Sequence, residues 1–435
     1  MNKKIGIRHE DKYLMERRVA ITPDHARKLI AEEGLKIFVE PSEKRVFTSL
    51  EYEDAGAVMA EDMGNAPVIF GVKEMPNSFF EENRTYVFFS HVIKGQAYNM
   101  PMLKKMMEKK CTLIEYEKVA DDQGRRLIFF GRFAGLAGMI NSLWSLGQRL
   151  RMQGVENPFS ELKQSHKYHS LEEAKAQIRQ VGEEITKNGL PSELSPLTIG
   201  FTGYGNVSKG AQEISDLLPT IEICPDELLG LQAKNQFSQH HVYKIVFKES
   251  DISEPKNADS VFELDHYYAY PEAYINAFEK FVPHLSVLMN CMYWDDKYPR
   301  IVSKDFLSEL NKQGSMKLTV IGDITCDPDG SIECTHKGTY IEDPVFVYDP
   351  QSRHPKMGFE GDGILVMAVD ILPSELPRDA SVAFGNALFE YVKPIVQADY
   401  SQSFENLNLP APIKKATILH HGKLTPDYQY LEEFL

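Results

Sequence analysis

Lys73, His91 and Glu117 are a base, a proton carrier and a carboxylate, and each follows directly on a short apolar run. Pro67-Val68-Ile69-Phe70-Gly71-Val72 leads into Lys73, Tyr86-Val87-Phe88-Phe89-Ser90 into His91, and Thr112-Leu113-Ile114-Glu115-Tyr116 into Glu117. Unbroken apolar runs of this length, separated by helical stretches, read as strands of a parallel sheet buried on both faces. Ligands of such sheets bind beyond the carboxyl ends of the strands, where these side chains fall. Desolvation there lowers the pKa of a lysine toward that of a usable base, and a histidine exchanges protons near neutrality. Lys94 adds a second cation shortly after His91, and Glu117 could orient or neutralise one of them. Taken singly, a lysine that snorkels to the sheet edge and a hydrogen-bonded structural histidine are the plainer readings.

The arginines narrow the chemistry. Arg17-Arg18 precedes the first helix, and Arg125-Arg126 precedes the run Leu127-Ile128-Phe129-Phe130. A guanidinium grips a carboxylate through a bidentate fork, so paired arginines near strand ends suit a substrate with several carboxylates. Beside Lys73 and His91 they outline a cationic site for a polycarboxylate, with groups that move protons.

A second unit begins at Leu197-Thr198-Ile199-Gly200-Phe201. Its glycine loop, Gly203-Tyr204-Gly205-Asn206-Val207-Ser208, lies between a strand and the helical run Lys209-Gly210-Ala211-Gln212-Glu213-Ile214. In a dinucleotide fingerprint the first glycine makes a tight turn and the second lets the backbone approach the pyrophosphate at the helix N-terminus. Ser208 stands where a third glycine or alanine is usual, a departure that weakens the motif. The next strand of the unit ends Ile221-Glu222-Ile223-Cys224-Pro225-Asp226, with neither carboxylate at its tip. A missing tip carboxylate permits NADP(H). No arginine replaces it, so NAD(H) is permitted too.

The elements that must position these groups follow from the pattern along 435 residues. Thr22-Pro23-Asp24 starts a helix that Gly34 ends. Strands are expected near 36–40, 67–73, 85–90 and 112–117, and an amphipathic helix near 96–109. A long apolar helix runs from Phe133 to Arg151, its small residues Ala134, Gly135, Ala137 and Gly138 permitting close backbone approach. A charged helical connector follows at about 159–188. Strands recur near 219–224, 287–293 and 317–323, with an elaborated, Tyr- and His-rich insertion at 231–285. The expected fold is α/β: two doubly wound, Rossmann-like domains with a cleft between them. Residues 1–135 with about 330–435 would form a discontinuous substrate domain, because the last hundred residues lack an evident set of buried strands. Residues 136–329 would form the nucleotide domain.

Composition sets outer limits. A net charge of −15 argues against nucleic acid or an anionic membrane as partner, and leaves small molecules. No apolar run has the length needed to span a bilayer. The strand Ile5-Gly6-Ile7-Arg8 starts so early that no signal or transit peptide is expected, which points to the cytoplasm. Cys111, Cys224, Cys291, Cys326 and Cys334 lack paired spacing and are expected to be free thiols. Asp327-Pro328-Asp329-Gly330 reads as a turn, and no metal site is expected.

Several of these motifs also carry a resemblance. Gly71-Val72-Lys73-Glu74-Met75-Pro76, Phe89-Ser90-His91, Gln123-Gly124-Arg125-Arg126, Phe130-Gly131-Arg132-Phe133-Ala134-Gly135, Asn290-Cys291-Met292-Tyr293 and Asp370-Ile371-Leu372-Pro373 resemble the lysine-forming saccharopine dehydrogenases. The glycine loop and Phe88-Phe89-Ser90-His91 are most similar to the lysine–2-oxoglutarate reductase half of the bifunctional aminoadipic semialdehyde synthases. The resemblance runs from Ile5 beyond Tyr430. It implies an alanine dehydrogenase-like organisation and a reversible reductive condensation of L-lysine with 2-oxoglutarate to saccharopine. It further implies Lys73 and His91 as the proton-transfer pair, and Arg18, Lys94, Gln96, Arg126 and Phe130 as lining the substrate site, to which the strand-end pattern adds Glu117. Arg125, Gly203, Tyr204, Gly205, Asn206, Met292 and Gly322-Asp323-Ile324-Thr325 would contact the nucleotide. The loop favours NADP(H). The half of the bifunctional proteins that releases glutamate is missing, so this chain would stop at saccharopine. Two other readings remain: an alanine dehydrogenase-like enzyme that aminates a small 2-oxo acid, and a non-catalytic sensor of lysine or nucleotide.

Overall fold

Thr22 does cap a helix: its hydroxyl accepts from the His25 N–H at the start of Pro23–Glu33, and Gly34 closes it at φ 62°. The computed structural model describes residues 2–231 and 237–435. The chain divides into two units, Met1–Phe130 with Pro377–Leu435, and Gly131–Leu376.

In the first unit β1 (Lys4–Ile7), β2 (Lys36–Val39), β3 (Val58–Met59), β4 (Val68–Phe70), β5 (Thr85–Phe88) and β6 (Thr112–Glu115) run parallel in the order β6-β5-β4-β1-β2-β3. Every residue of β4, β5 and β6 is buried, as their unbroken apolar sequence requires of a sheet covered on both faces.

The second unit contributes β7 (Leu197–Thr202), β8 (Thr220–Glu222), β9 (Val242–Phe247), β10 (Ser253–Pro255), β11 (Tyr274–Asn276), β12 (Val287–Asn290), β13 (Val320–Asp323), β14 (Val345–Asp349), β15 (His354–Met357) and β16 (Ile364–Met367). Their main sheet has the order β15-β14-β16-β13-β12-β7-β9-β8, with β14 antiparallel to both of its neighbours. β10 and β11 form a separate antiparallel ladder within the expected insertion. Residues 232–236 of that insertion lie outside the described residues.

Two strands near the C-terminus, β17 (Thr417–His420) and β18 (Lys423–Leu424), return to the first sheet, with β17 antiparallel to β6. The helix Pro377–Gln397 also belongs to the first core through Phe384, Leu388, Val392 and Ile395.

The expected boundary near 330 needs correction. Residues 330–376 belong with the second unit, because β16 pairs in parallel with β13 and β14 then extends the same sheet. Val345-Phe346-Val347-Tyr348 and Ile364-Leu365-Val366-Met367 are fully buried strands in a region where the sequence reading expected none. The first boundary also falls earlier, at Phe130 rather than 135.

The long apolar helix spans Gly131–Met152 and meets the helix Asn206–Ser215 backbone to backbone. A Cβ on Gly135 would stand 1.9 Å from the Val207 carbonyl oxygen, and one on Gly210 would stand 2.1 Å from that of Arg132. Only glycine permits that approach.

Candidate active site

Lys73 stands beyond the end of β4, and the backbone that carries it is clamped by Glu10. One oxygen of the Glu10 carboxyl accepts from the Val72 N–H at 2.7 Å, the other from the Lys73 N–H at 2.9 Å. Burial and the nearby Glu16 push Glu10 up to about 7. The Lys73 ammonium lies 6.0 Å from the centre of the Tyr13 ring. Its pKa is lowered, by burial first and by the Arg18 guanidinium second, against the opposing pull of Glu16 and Glu74. That is the desolvated, charge-flanked lysine the sequence implied.

His91 follows β5 and adopts φ 49°, a left-handed conformation that is costly outside glycine. Several bonds hold it there. Its N–H donates to Glu115 at 3.2 Å, and its carbonyl accepts from Asn99 at 3.0 Å. Its Nδ1 lies 2.8 Å from Glu74 Oε1. The same Glu74 oxygen takes the Lys12 ammonium at 2.5 Å. Burial opposes ionisation of Glu74, yet His91 and Lys12 together bring it down to about 2. Glu115 is fully buried at the end of β6, and burial raises its pKa while the Ser90 hydroxyl and backbone N–H donate to it.

Arg18 and Glu16 form a buried pair, with Nε–Oε1 at 2.8 Å and Nη2–Oε2 at 2.5 Å. The Arg18 guanidinium lies 4.1 Å from the centre of the Phe130 ring, and Phe130 stacks on Phe384 with centroids 4.5 Å apart. Lys73, Glu74, His91, Lys12, Glu16, Arg18 and Phe130 are thereby linked in one neighbourhood of the first unit. Glu117 pairs instead with Arg126, so the carboxylate that orients His91 is Glu74. Arg125 is an exposed residue paired with Asp121 at 2.7 Å. Lys94 is exposed, and its N–H donates to the Gln96 side chain at 3.1 Å.

Sequence reasoning missed Glu10, Lys12, Glu16 and Glu74 as members of this cluster. The signal for Glu74 was its place directly after Lys73. The others sit on the loop after β1, whose path the local pattern does not give.

In the second unit the glycine loop follows β7. Gly203 has φ 77° and approaches Met292, whose Cα would lie 3.5 Å from an added Cβ. Tyr204, Gly205 and Asn206 are exposed, and a Cβ on Gly205 would meet nothing within 4 Å. No side chain caps the helix Asn206–Ser215, so its first N–H groups have no side-chain acceptor at the cap. These features fit a pyrophosphate. Ser208 is buried and accepts from Gln212 at 2.9 Å, which accounts for a small residue there.

Asp323 is nearly fully buried at the end of β13, where it accepts from Asn290 at 2.8 Å, from Thr325 at 2.7 Å and from Thr335 at 2.5 Å. Asn290 in turn accepts from Thr202 at 2.9 Å, so Asp323 ties the ends of β7, β12 and β13 together. Gly322 packs against Ser142 and Ile324 against Gly138, so both brace the long helix.

The expected second strand of this unit, β8, is the edge strand and does not touch β7. β7 is flanked by β12 on one side and on the other by β9, paired along its length from Leu197↔Val242 to Thr202↔Phe247. The apolar run of β9 is broken by Lys244, whose buried ammonium reaches Asp216 at 2.8 Å and Glu222 at 2.9 Å. β8, at whose end the sequence reading looked for a ribose-binding carboxylate, therefore does not flank the glycine strand.

Residues 6–137 match the N-terminal domain of the alanine dehydrogenase/PNT family, and residues 276–427 match its C-terminal domain. The chain belongs to the alanine dehydrogenase/PNT family. Within it, the chain is 40% identical over 445 residues to alpha-aminoadipic semialdehyde synthase of Arabidopsis thaliana, covering 99% of this chain and 41% of that protein. It is 35% identical to the mitochondrial alpha-aminoadipic semialdehyde synthase of Rattus norvegicus, covering 99% of this chain and 47% of that one. The chain thus spans less than half the length of these relatives. A NAD(+), L-lysine-forming saccharopine dehydrogenase of Yarrowia lipolytica is 27% identical, covering 91% of this chain and 93% of its own. These relatives bear out the resemblance read from the motifs. Among solved structures, an L-alanine dehydrogenase has a TM-score of 0.64 at 18% identity, covering 99% of this chain and 100% of that one. A transhydrogenase from Sinorhizobium meliloti has a TM-score of 0.53 at 14% identity, covering 97% of this chain and 99% of its own. Those likenesses support the two-domain α/β fold of the alanine dehydrogenase type.

Proposed function

We propose that this chain carries out the nicotinamide-dinucleotide-dependent reductive condensation of L-lysine with 2-oxoglutarate to saccharopine, and the reverse. The observation that carries the reading is the joining of a desolvated lysine, Lys73, to the Glu74–His91 pair and the Arg18–Glu16 pair at adjacent strand ends.

The chemistry asks for an amine without its proton, a proton for the departing hydroxyl, and fixed carboxylates. Lys73, with its lowered pKa, takes the proton from the ε-ammonium of the substrate. His91, aimed by Glu74, gives a proton to the hydroxyl as water leaves. Arg18, Lys94 and Arg126 attract the carboxylates, while Gln96, Glu117 and Phe130 shape the site around them. When bound, the reduced nicotinamide supplies a hydride to the imine. Gly203, Tyr204, Gly205, Asn206 and Met292 would hold the nucleotide, with Gly322-Asp323-Ile324-Thr325 bracing that site. The five unpaired cysteines suit a reducing compartment such as the cytoplasm, although the mammalian relatives are named mitochondrial. Among the described residues no helix is long and apolar enough to cross a membrane.

The test is cofactor oxidation with lysine and 2-oxoglutarate together, run in parallel with NADH and NADPH. Steady turnover that needs both substrates is expected. Faster turnover with pyruvate and ammonia would make the chain an alanine dehydrogenase-like enzyme. Nucleotide binding without turnover on either pair would make it a sensor.

A further inference from the structure

Phe384 sits where side chains of the substrate site converge, although it belongs to the helix Pro377–Gln397 near the other end of the chain. Its ring is almost fully buried and stacks on Phe130, with centroids 4.5 Å and planes 11° apart. The same Phe130 ring carries the Arg18 guanidinium at 4.1 Å. Phe384 also meets Phe89 at 6.0 Å, and Phe89 lies nearly parallel to the His91 imidazole, again at 6.0 Å. Fully buried Tyr116 closes the group edge-on, 4.9 Å from Phe384 and 5.2 Å from Phe89. Phe384 is thereby one ring away from both Arg18 and His91.

The same helix is tied to the segment that carries the arginine. The Ser381 hydroxyl, three residues before Phe384 and so on the same helix face, accepts from the Val19 N–H at 2.9 Å across 362 positions of sequence. A Cβ on Gly385 would stand 3.3 Å from the Ala20 carbonyl oxygen, and Asn386 Oδ1 meets His25 Nε2 at 3.0 Å. Ser381 to Asn386 therefore grip the chain from Val19 to His25, directly after Arg18. Within the Arg18 guanidinium, Glu16 takes Nε and Nη2, which leaves Nη1 as the donor outside that pair. Stacked rings, edge contacts and a guanidinium over a ring each have preferred geometries. The cluster thus resists rotations that an aliphatic side chain of similar size permits.

We propose that Phe384 is a positioning residue for the condensation: through Phe130 it holds Arg18 ready for a substrate carboxylate, and through Phe89 it holds the His91 ring at its working angle. The inference rests on the substrate reading of Lys73, His91 and Arg18. Phe384 touches no reactant in this scheme and acts only through the two half-buried rings. Fixing the arginine before the substrate arrives removes an ordering cost from binding, and fixing the histidine keeps its proton in line with the departing hydroxyl.

The test compares steady-state kinetics of the whole chain, with saccharopine in the reverse direction, for the wild type, Phe384→Leu and Phe384→Met. Both variants keep an apolar side chain and remove the ring, and methionine preserves more of the volume should leucine not fold. Each should raise KM for saccharopine and lower kcat, with kcat/KM falling roughly tenfold to a hundredfold. Nicotinamide fluorescence should show nucleotide affinity unchanged, because the glycine loop belongs to the other unit. Leu388→Ala, cut from the same helix and the same core, should lower the urea midpoint at least as far while KM and kcat stay at wild-type values. Phe130→Leu combined with Phe384→Leu should be little worse than either alone, since both act through one stack. Wild-type KM and kcat in the Phe384 variants, or an equal kinetic loss in Leu388→Ala, would overturn the positioning role and leave the enzyme reading intact. A wild type that turns over neither saccharopine nor lysine with 2-oxoglutarate would overturn that reading and this inference with it.

Discussion

Glu74 holds the imidazole of His91 at 2.8 Å through Nδ1 and at the same time takes the Lys12 ammonium on the same oxygen. One carboxylate thus fixes the orientation of the proton carrier and ties it to the loop after β1. Replacing Glu74 by Gln keeps the shape and removes the charge. Activity should fall roughly tenfold to a hundredfold, as for other groups that orient a working histidine. The variant should also lose a pH dependence of stability. Folding lowers the Glu74 pKa from 4.5 to about 2, so its contribution is complete above the upper value and is lost as pH falls through the lower one. Urea titrations across that window should show a steeper decline for the wild type than for Glu74→Gln. Parallel curves would show that Glu74 carries no such linkage.

Lys73→Met should slow turnover by roughly a hundredfold to ten-thousandfold, the range typical of a lost acid–base group. Nucleotide affinity should be unchanged, because the glycine loop belongs to the other unit. In the wild type, burial and Arg18 lower the Lys73 pKa, so the rising limb of the rate–pH profile should lie below the ordinary lysine range. Lys73→Met should abolish that limb. A variant that keeps it would move the base elsewhere.

Glu10→Ala would free the Val72 and Lys73 N–H groups that Glu10 now accepts. Each buried orphaned donor costs about 1–3 kcal/mol, and the turn that carries Lys73 should loosen. Folding raises the Glu10 pKa from 4.5 to about 7, so the wild type loses stability as pH rises through that interval. The destabilisation by Glu10→Ala should therefore be greatest at low pH and shrink toward the upper value. Denaturation at several pH values checks the sign.

Gly135→Val would force a side chain against the Val207 carbonyl, where even a Cβ has only 1.9 Å. The helix that carries the glycine loop would have to move. Destabilisation of about 1–3 kcal/mol or more is expected, with weakened nucleotide binding. Gly154→Ala, on the same segment but with open space around it, controls for loss of a glycine; its positive φ of 78° makes it a mild strain only.

Much of the site was legible because its residues come at the ends of local patterns. Lys73 and His91 end apolar runs, and Gly203-Tyr204-Gly205 sits between a strand and a helix, so position in the sequence gave position on the sheet. Arg18 and Phe130 were named as neighbours of the substrate, but their stacking is a contact between distant segments. Glu117 was the nearest carboxylate by pattern, yet it pairs with Arg126, and Glu74 took its place beside His91.

What the sequence by itself determined was therefore the periodicity of its elements: buried parallel strands, capped helices, glycine positions that permit close approach, and the side chains at each strand end. These depend on neighbours a few residues apart. Tertiary structure alone decided which strands lie side by side. β9 displaced β8 from the flank of β7, β14 and β16 joined the second sheet, and Glu10 reached across from the loop after β1 to clamp Lys73. Strand order is set by which apolar faces bury one another across long chain separations, and the charge of a neighbouring strand, such as the Lys244 ammonium held by Asp216 and Glu222, enters only then.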